Sequence, residues 1–338
     1  MMLSAVLMLS GSTGVQAGLY SNDVEAQRNL WSNFKAEFKR EYSTEEEEKT
    51  RFGNFVENLK IADQRQIEEH NAGGNAVHGV TIFSDLTHDE FKTRLGFKRN
   101  LKSVRSSNNT TAGSGSVGSC SVTSTAVDWT DVYISGVRSQ GYCGSCWAFA
   151  TAGQVQADNA RIFGGSIQTY SPEQMVQCST EQGNNGCDGG DYAGSYEYLL
   201  SHNFETDNYY PYTSYNGITG GPCAYDASKG HVKALTPNDS LTGDESCMAQ
   251  YVQNTGTLAI AVDATRWSSY YGGIMTSCGT SVDHAVQIVG VNPVSGGYWK
   301  IRNSWGSFWG ESGYIRLAYG QNTCDLTSEA WYSELQAV

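Results

Sequence analysis

The sequence predicts an α+β protein in two unequal parts, a charged helical leading segment and a larger body of helix and strand braced by disulfides. Three observations predict it. Residues 24 to 70 are rich in charged helix formers and place Leu30, Trp31, Phe34 and Phe38, then Phe52, Phe55 and Leu59, at helical spacing. Beyond about residue 120 the composition turns to Gly, Tyr, Trp and Cys with few Lys, as in a turn-rich body supported by disulfides. That body holds a long helical run starting at Cys146 and an apolar run, VDHAVQIVGV, with the pattern of a buried strand.

The elements follow in order. Residues 1–17 carry a short apolar core ending in Val15-Gln16-Ala17, a small-x-small cleavage pattern, and read as a secretory signal peptide that lacks the usual positive start. Two amphipathic helices come next, with the acidic run at 45–48 as a solvated helix start. In GVTIFSDLTHDEFKTRLG, Thr81, Phe83 and Asp85 alternate like a strand before a helix capped near Thr87. KRNLKSVRSSNNTTAGSGSVGS, residues 98–119, has no periodicity and reads as a linker open to proteases. From Cys146, CWAFATAGQVQADNARIF makes about five turns before Gly164-Gly165, with Phe149, Ala152, Val155 and Ile162 on one apolar face. The expected division is a signal peptide at 1–17, a leading segment with linker at 18–120 and the body at 121–338.

Charge narrows the function. Of the net −13, residues 1–119 contribute little, with 14 Lys plus Arg against 15 Asp plus Glu, whereas residues 120–338 have 8 against 20. So acidic a body lacks the basic clusters that phosphate binding needs, which disfavours nucleic acid, and none is expected as a partner. No apolar run approaches the roughly 20 residues that span a membrane, so no membrane partner is expected. Nine cysteines behind a signal peptide point to an oxidising compartment and a disulfide framework with one cysteine left over. Sequons at Asn108, Asn109 and Asn238 are glycosylation candidates, the first two within the linker.

The pair in SQGYCGSCWAFA, Cys143 and Cys146, needs a role. A thioredoxin-like redox pair requires a strand-to-helix turn in a compact βαβ unit, and no such pattern precedes Cys143. A structural zinc site requires a matching second pair, whereas Cys178 and Cys187 are nine apart, so no metal is expected. The third reading makes Cys146 a nucleophile at a helix N-terminus, where the macrodipole favours a thiolate. His284, a polar ring in an apolar strand, would take its proton, and Asn303, nineteen residues on in YWKIRNSWGSFWG, would orient that ring.

CGSCWAF, then DHAV about 140 residues downstream, then NSWG, resembles the papain family of cysteine proteases. The leading segment is similar to the propeptide of its cathepsin L branch: Glu47, Arg51, Phe55 and Asn58 match the spaced helix signature, and GVTIFSD its second motif. Ala62 and Gln66 depart from that signature, where the family usually has Ile and Asn. The resemblance covers nearly everything after the signal peptide.

What the resemblance implies is specific. The fold would be papain-like and two-lobed, with a helical left lobe carrying Cys146, a β-barrel-like right lobe carrying His284 and Asn303, a cleft between, and a helical inhibitory propeptide in front. The activity would be that of a cysteine endopeptidase made as a zymogen, with no cofactor, acting through a thioester and a Cys146 thiol whose pKa is lowered. Gln140 would donate to the oxyanion hole and Trp305 would cover the Asn303–His284 contact, while Trp309 could equally be plain core. Cys143 would pair with Cys187, Cys178 with Cys223 and Cys278 with Cys324; Cys120 and Cys247 lie outside that framework and either bond each other or stay apart. The pocket for the second residue before the scissile bond would include Tyr192, Ala261, Asp283, Ala285 and Glu329, with Gly189 and Gly190 offering backbone. A carboxylate at Glu329 would add Arg to the hydrophobic residues accepted there, unless it points to solvent. Expected partners are protein and peptide substrates, the protein's own propeptide and cystatin-like inhibitors, for a monomer in a lysosome- or vacuole-like acidic compartment or outside the cell.

Overall fold

The computed structural model describes residues 20, 22–99, 120–238 and 241–338. The signal-peptide residues, Asn108, Asn109 and the linker from residue 100 lie outside the described residues, as does the side chain of Asn238.

In the leading segment, α1 (Val24–Phe38) and α2 (Glu45–Asn71) are capped by Asp23 and Thr44, whose side chains each accept a backbone N–H. Glu45 to Glu48 fill the first turn of α2, where the helix dipole favours negative charge. The helices meet through rings: Trp31 lies 5.3 Å from Phe34 and 5.2 Å from Phe55. Asn58 donates to the carbonyls of Ser84 and Leu86, and Arg51 pairs with Glu90 at 2.7 Å, so the signature residues fasten the stretch 84–90 onto α2. The two departing positions also find uses. Ala62 is buried, and Gln66 donates to the Ala76 carbonyl while accepting from His78 N, tying α2 to β1 (Val77–His78).

Residues 81–85, expected to alternate as a strand, form a turn instead. The Thr81 amide donates to Ser84 Oγ and its hydroxyl accepts from Phe83 N, so local side-chain bonds win over extension. The helix after it, α3 (His88–Lys92), starts at Thr87 with a full capping box to Glu90.

The body begins with β2 (Val127–Asp128) and α4 (Thr130–Tyr133), then α5 (Cys146–Phe163), α6 (Pro172–Cys178) and α7 (Tyr192–Leu199). Strands β3 (Phe204–Glu205) and β4 (Gly230–Asn238), α8 (Glu245–Asn254), β5 (Leu258–Val262), β6 (Tyr270–Gly272), β7 (Ile274–Met275), β8 (His284–Asn292), β9 (Tyr298–Arg302), β10 (Tyr314–Ala318) and β11 (Ala330–Ala337) follow. The main sheet runs β3-β4-β11-β5-β8-β9-β10-β7 with β2 added on β8, an open path and not a closed barrel. Two cores flank the cleft, one around Trp147, Tyr192 and Tyr196 with α5 to α7, the other around Trp267, Trp299 and Trp309 on the sheet.

Helix α5 has no single apolar face. It is buried from Cys146 to Ala160 on nearly every side except at Phe149, while Ile162 is 43% exposed. Its small residues permit this: a Cβ on Gly153 would come 2.6 Å from Gln287 Oε1 of β8, and Gln287 Nε2 donates to the Gly153 carbonyl at 2.8 Å. All three framework disulfides form, and Cys120 bonds Cys247, which ties the start of the body to α8. Cys146 is the cysteine left free.

The leading segment docks on the β7 side of the sheet. β1 pairs antiparallel with β6, the buried Glu69 carboxylate accepts the amides of Thr276 and Ser277 at 2.7 and 2.9 Å, and Arg65 donates to Ser268, Ser269 and the Thr265 carbonyl. His78 is buried in this interface with Nδ1 3.0 Å from Ser269 Oγ, and burial, then the nearby Arg65, lowers its pKa to about 4. Because the docked value lies below the free value of 6.5, docking stability is full above pH 6.5 and falls as pH drops towards 4, by up to roughly 3 kcal/mol. An NMR titration of His78 should give a midpoint near 4, with His78→Gln flattening the loss of docking on acidification. A midpoint near 6.5 would remove the effect.

Candidate active site

Cys146 opens α5, fully buried, and its Sγ accepts the Ala285 amide at 3.4 Å, so the thiol lies against the residue that follows His284. The β5–β8 register sets His284 opposite Val262, and β8–β9 pairing brings the end of β9 alongside β8, so Asn303 arrives next to the imidazole. His284 Nε2 lies 2.8 Å from Asn303 Oδ1. That oxygen also accepts the Ser304 amide at 2.7 Å, which fixes the side-chain amide's orientation and puts the ring hydrogen on Nε2. Among the described residues Nδ1, on the other side of the ring, has no hydrogen-bond partner. Trp305 stacks on the imidazole at 4.7 Å and covers it, whereas Trp309 is core, stacked on Trp267 with its indole N–H on the Trp267 carbonyl.

Gln140 reaches the same place from the preceding loop. Its Oε1 accepts from Ser304 Oγ at 2.6 Å, which aims Nε2 at the Cys143 carbonyl, 2.8 Å away, in the turn before the thiol. Tyr192, Ala261 and Ala285 line one buried cluster with Cys146 and Trp147. Gly190 is obligatory, since a Cβ there would lie 2.7 Å from the Trp147 ring, and Gly189 adopts φ +112°. Asp283 turns its side chain to the Ala264 amide and offers the cleft only its backbone carbonyl. Glu329 does not point to solvent: it is 7% exposed, accepts from Trp331 Nε1 at 2.9 Å and pairs with Arg99.

Residues 123–334 match the family model described as papain family cysteine protease, and residues 31–91 match the cathepsin propeptide inhibitor domain. The chain belongs to the papain family of cysteine proteases. It is 35% identical to a cathepsin L-like proteinase of Phaedon cochleariae over 91% of this chain and 94% of that one. It is also 35% identical to a cysteine proteinase of Trypanosoma brucei brucei, over 95% of this chain and 70% of that one. Among solved structures, digestive procathepsin L 3 of Tenebrio molitor larval midgut is similar with a TM-score of 0.77 and 30% identity, covering 91% of this chain and 98% of that one.

The prosegment of this papain-family zymogen continues into the cleft. Phe97 N donates to the Asp283 carbonyl, Lys98 N to the Gly190 carbonyl, and Gly190 N to the Gly96 carbonyl, each at 2.9 Å. Phe97 stacks on Tyr192 at 5.4 Å, Arg94 O accepts from Gln140 Nε2 at 2.9 Å, and the Gly96 amide is aimed at Cys146. Lys98 and Arg99 are therefore cleft residues and not the start of the linker. Composition hid them, because their fixed conformation comes wholly from the cleft walls. A Cβ on Gly96 would drive into the Gly144 carbonyl, so the segment passes over the thiol only as glycine.

Burial inverts the charge state expected of Cys146 and His284. Burial pushes the Cys146 thiol up to about 12 against the amides of Ala285, Gly96 and Trp147, and lowers His284 to about 4 against its bond to Asn303. The lowered thiol pKa expected for the family is thus absent while the prosegment is in place. Iodoacetamide at neutral pH should label Cys146 in the intact chain about a hundredfold more slowly than a free cysteine, and far faster once the prosegment is removed. Equal rates in both forms, mapped by mass spectrometry, would contradict the seal.

Proposed function

We propose that Cys146 is the nucleophile of a cysteine endopeptidase, with His284 as its acid and base, Asn303 as the orienter of His284, and Gln140 Nε2 with the Cys146 amide as the oxyanion donors. The observation that carries this reading is a stretch of the protein's own backbone, residues 94–99, held in the cleft across the thiol in contact with Gln140, Gly190 and Asp283. With the prosegment gone, His284 Nδ1 takes the thiol proton and the thiolate attacks a peptide carbonyl. The oxyanion is held by donors worth roughly 2.7–4 kcal/mol each. Imidazolium passes its proton to the departing amine, leaving a thioester; neutral His284 then deprotonates a water that hydrolyses it and the thiol is restored.

The pocket for the second residue before the scissile bond is formed by Tyr192, Ala261 and Ala285, with Glu329 at its floor and the backbones of Gly189, Gly190 and Asp283 along its edge. It accepts hydrophobic residues and Arg. Phe97 against Tyr192 supports the first and Arg99 on Glu329 the second. Maturation falls between Gly113 and Thr125, making 121–338 the approximate peptidase domain. The enzyme works as a monomer on proteins and peptides in an acidic lysosome- or vacuole-like compartment or outside the cell, and cystatin-like inhibitors would enter the same cleft. Four disulfides support an oxidising route, and among the described residues no helix is long and apolar enough to cross a membrane.

Acid-activated, reduced protein should hydrolyse both Phe-Arg and Arg-Arg fluorogenic dipeptides. Cys146→Ala should abolish both activities, and Glu329→Ala should lower only Arg-Arg cleavage, by about tenfold or more. Unchanged turnover in Cys146→Ala would sink the nucleophile assignment, and unchanged Arg-Arg cleavage in Glu329→Ala the acidic floor.

A further inference from the structure

We infer that Tyr142 forms a guanidinium-binding site on the leaving-group side of the cleft, so that the enzyme favours arginine at the first or second position after the scissile bond. This deepens the proposed peptidase reading and rests on it. The prosegment supplies the ligand chemistry. Its Gly96 amide is aimed at the Cys146 thiol, Phe97 lies to one side on Tyr192, and Arg94 lies to the other, with its carbonyl on Gln140 Nε2. If the Phe97 side receives the acyl half of a substrate, the Arg94 side receives the departing half.

Arg94 is 6% exposed, and its guanidinium sits 4.4 Å from the centroid of the Tyr142 ring, with Phe83 on its other flank at 5.1 Å. Phe83 belongs to the prosegment and leaves with it, whereas Tyr142 stays with the body. Tyr142 is anchored by its amide on the Tyr215 carbonyl at 2.8 Å, two residues past Gln140 and one before the disulfide-bonded Cys143. The ring keeps its place while remaining 48% exposed, which suits a face that a cation covers. A body carrying 8 basic against 20 acidic residues adds no repulsion against an incoming arginine.

The test uses quenched peptides with Phe two residues before the scissile bond and either Arg or its neutral isostere citrulline at each of the two positions after it. In the matured wild type, kcat/KM for Arg should exceed that for citrulline by roughly two- to fivefold, the size of a partly exposed cation–ring contact. The ratio should persist in Tyr142→Phe and fall to about one in Tyr142→Ser. A wild-type ratio of one at both positions, or the same ratio in Tyr142→Ser, overturns the site. The same ratio read as Kd on Cys146→Ala protein, processed in trans, reports the contact without turnover. Loss of all turnover in the wild type would therefore strike the peptidase reading, while the Kd ratio still decides Tyr142.

Discussion

The close packing of α5 on β8 is the constraint on which the rest depends. A helix usually shows one face to a core; this one is wrapped on almost all sides, because Ala148, Ala150, Ala152, Gly153, Ala157 and Ala160 carry so little side chain. Gln287 bonds the Gly153 carbonyl directly, where a larger residue would push the strand away. The first residue of that helix, Cys146, is thereby held against Ala285, the second residue of the strand and the neighbour of His284. Two elements 138 residues apart in the chain thus bring the thiol to the residue next to the imidazole without a loop having to hold either. The β8–β9 ladder then adds Asn303 and Trp305, so orientation and cover of the ring follow from sheet register.

A site so enclosed is controlled by what lies over it. The same burial that positions the pair drives both groups neutral while residues 94–99 exclude water, and the prosegment uses the cleft's own groups to do so: the Gln140 amide, the Gly190 backbone, the Tyr192 ring. Its grip is distributed. Ring packing holds α1 to α2, polar bonds from Arg65 and Glu69 hold α2 to the body, and glycine at position 96 allows passage over the thiol. Substituting Ala62 and Gln66 into the helix signature did not loosen this arrangement, since Gln66 bridges the Ala76 carbonyl and the His78 amide.

The sequence by itself determined the main elements and pointed to the residues proposed to react. Local rules place the helix starting at the acidic run 45–48, the helix capped at Thr87, the helix from Cys146 to the glycines at 164–165 and the strand at His284, because capping, periodicity and breakers act within a few residues. Cys146, His284, Asn303 and Gln140 were legible because their neighbours CGSCWAF, DHAV and NSWG are distinctive. Only the tertiary structure decided the burial of α5 on all sides, the open path of the sheet, the backbone role of Asp283, the Cys120–Cys247 bond and the use of Arg94 to Arg99 as the plug. Each of these turns on a partner far away in the chain. Residues whose conformation is set by a distant wall leave no periodic trace, so Lys98 and Arg99 at the cleft read like any polar linker until Gly190 and Glu329 are beside them.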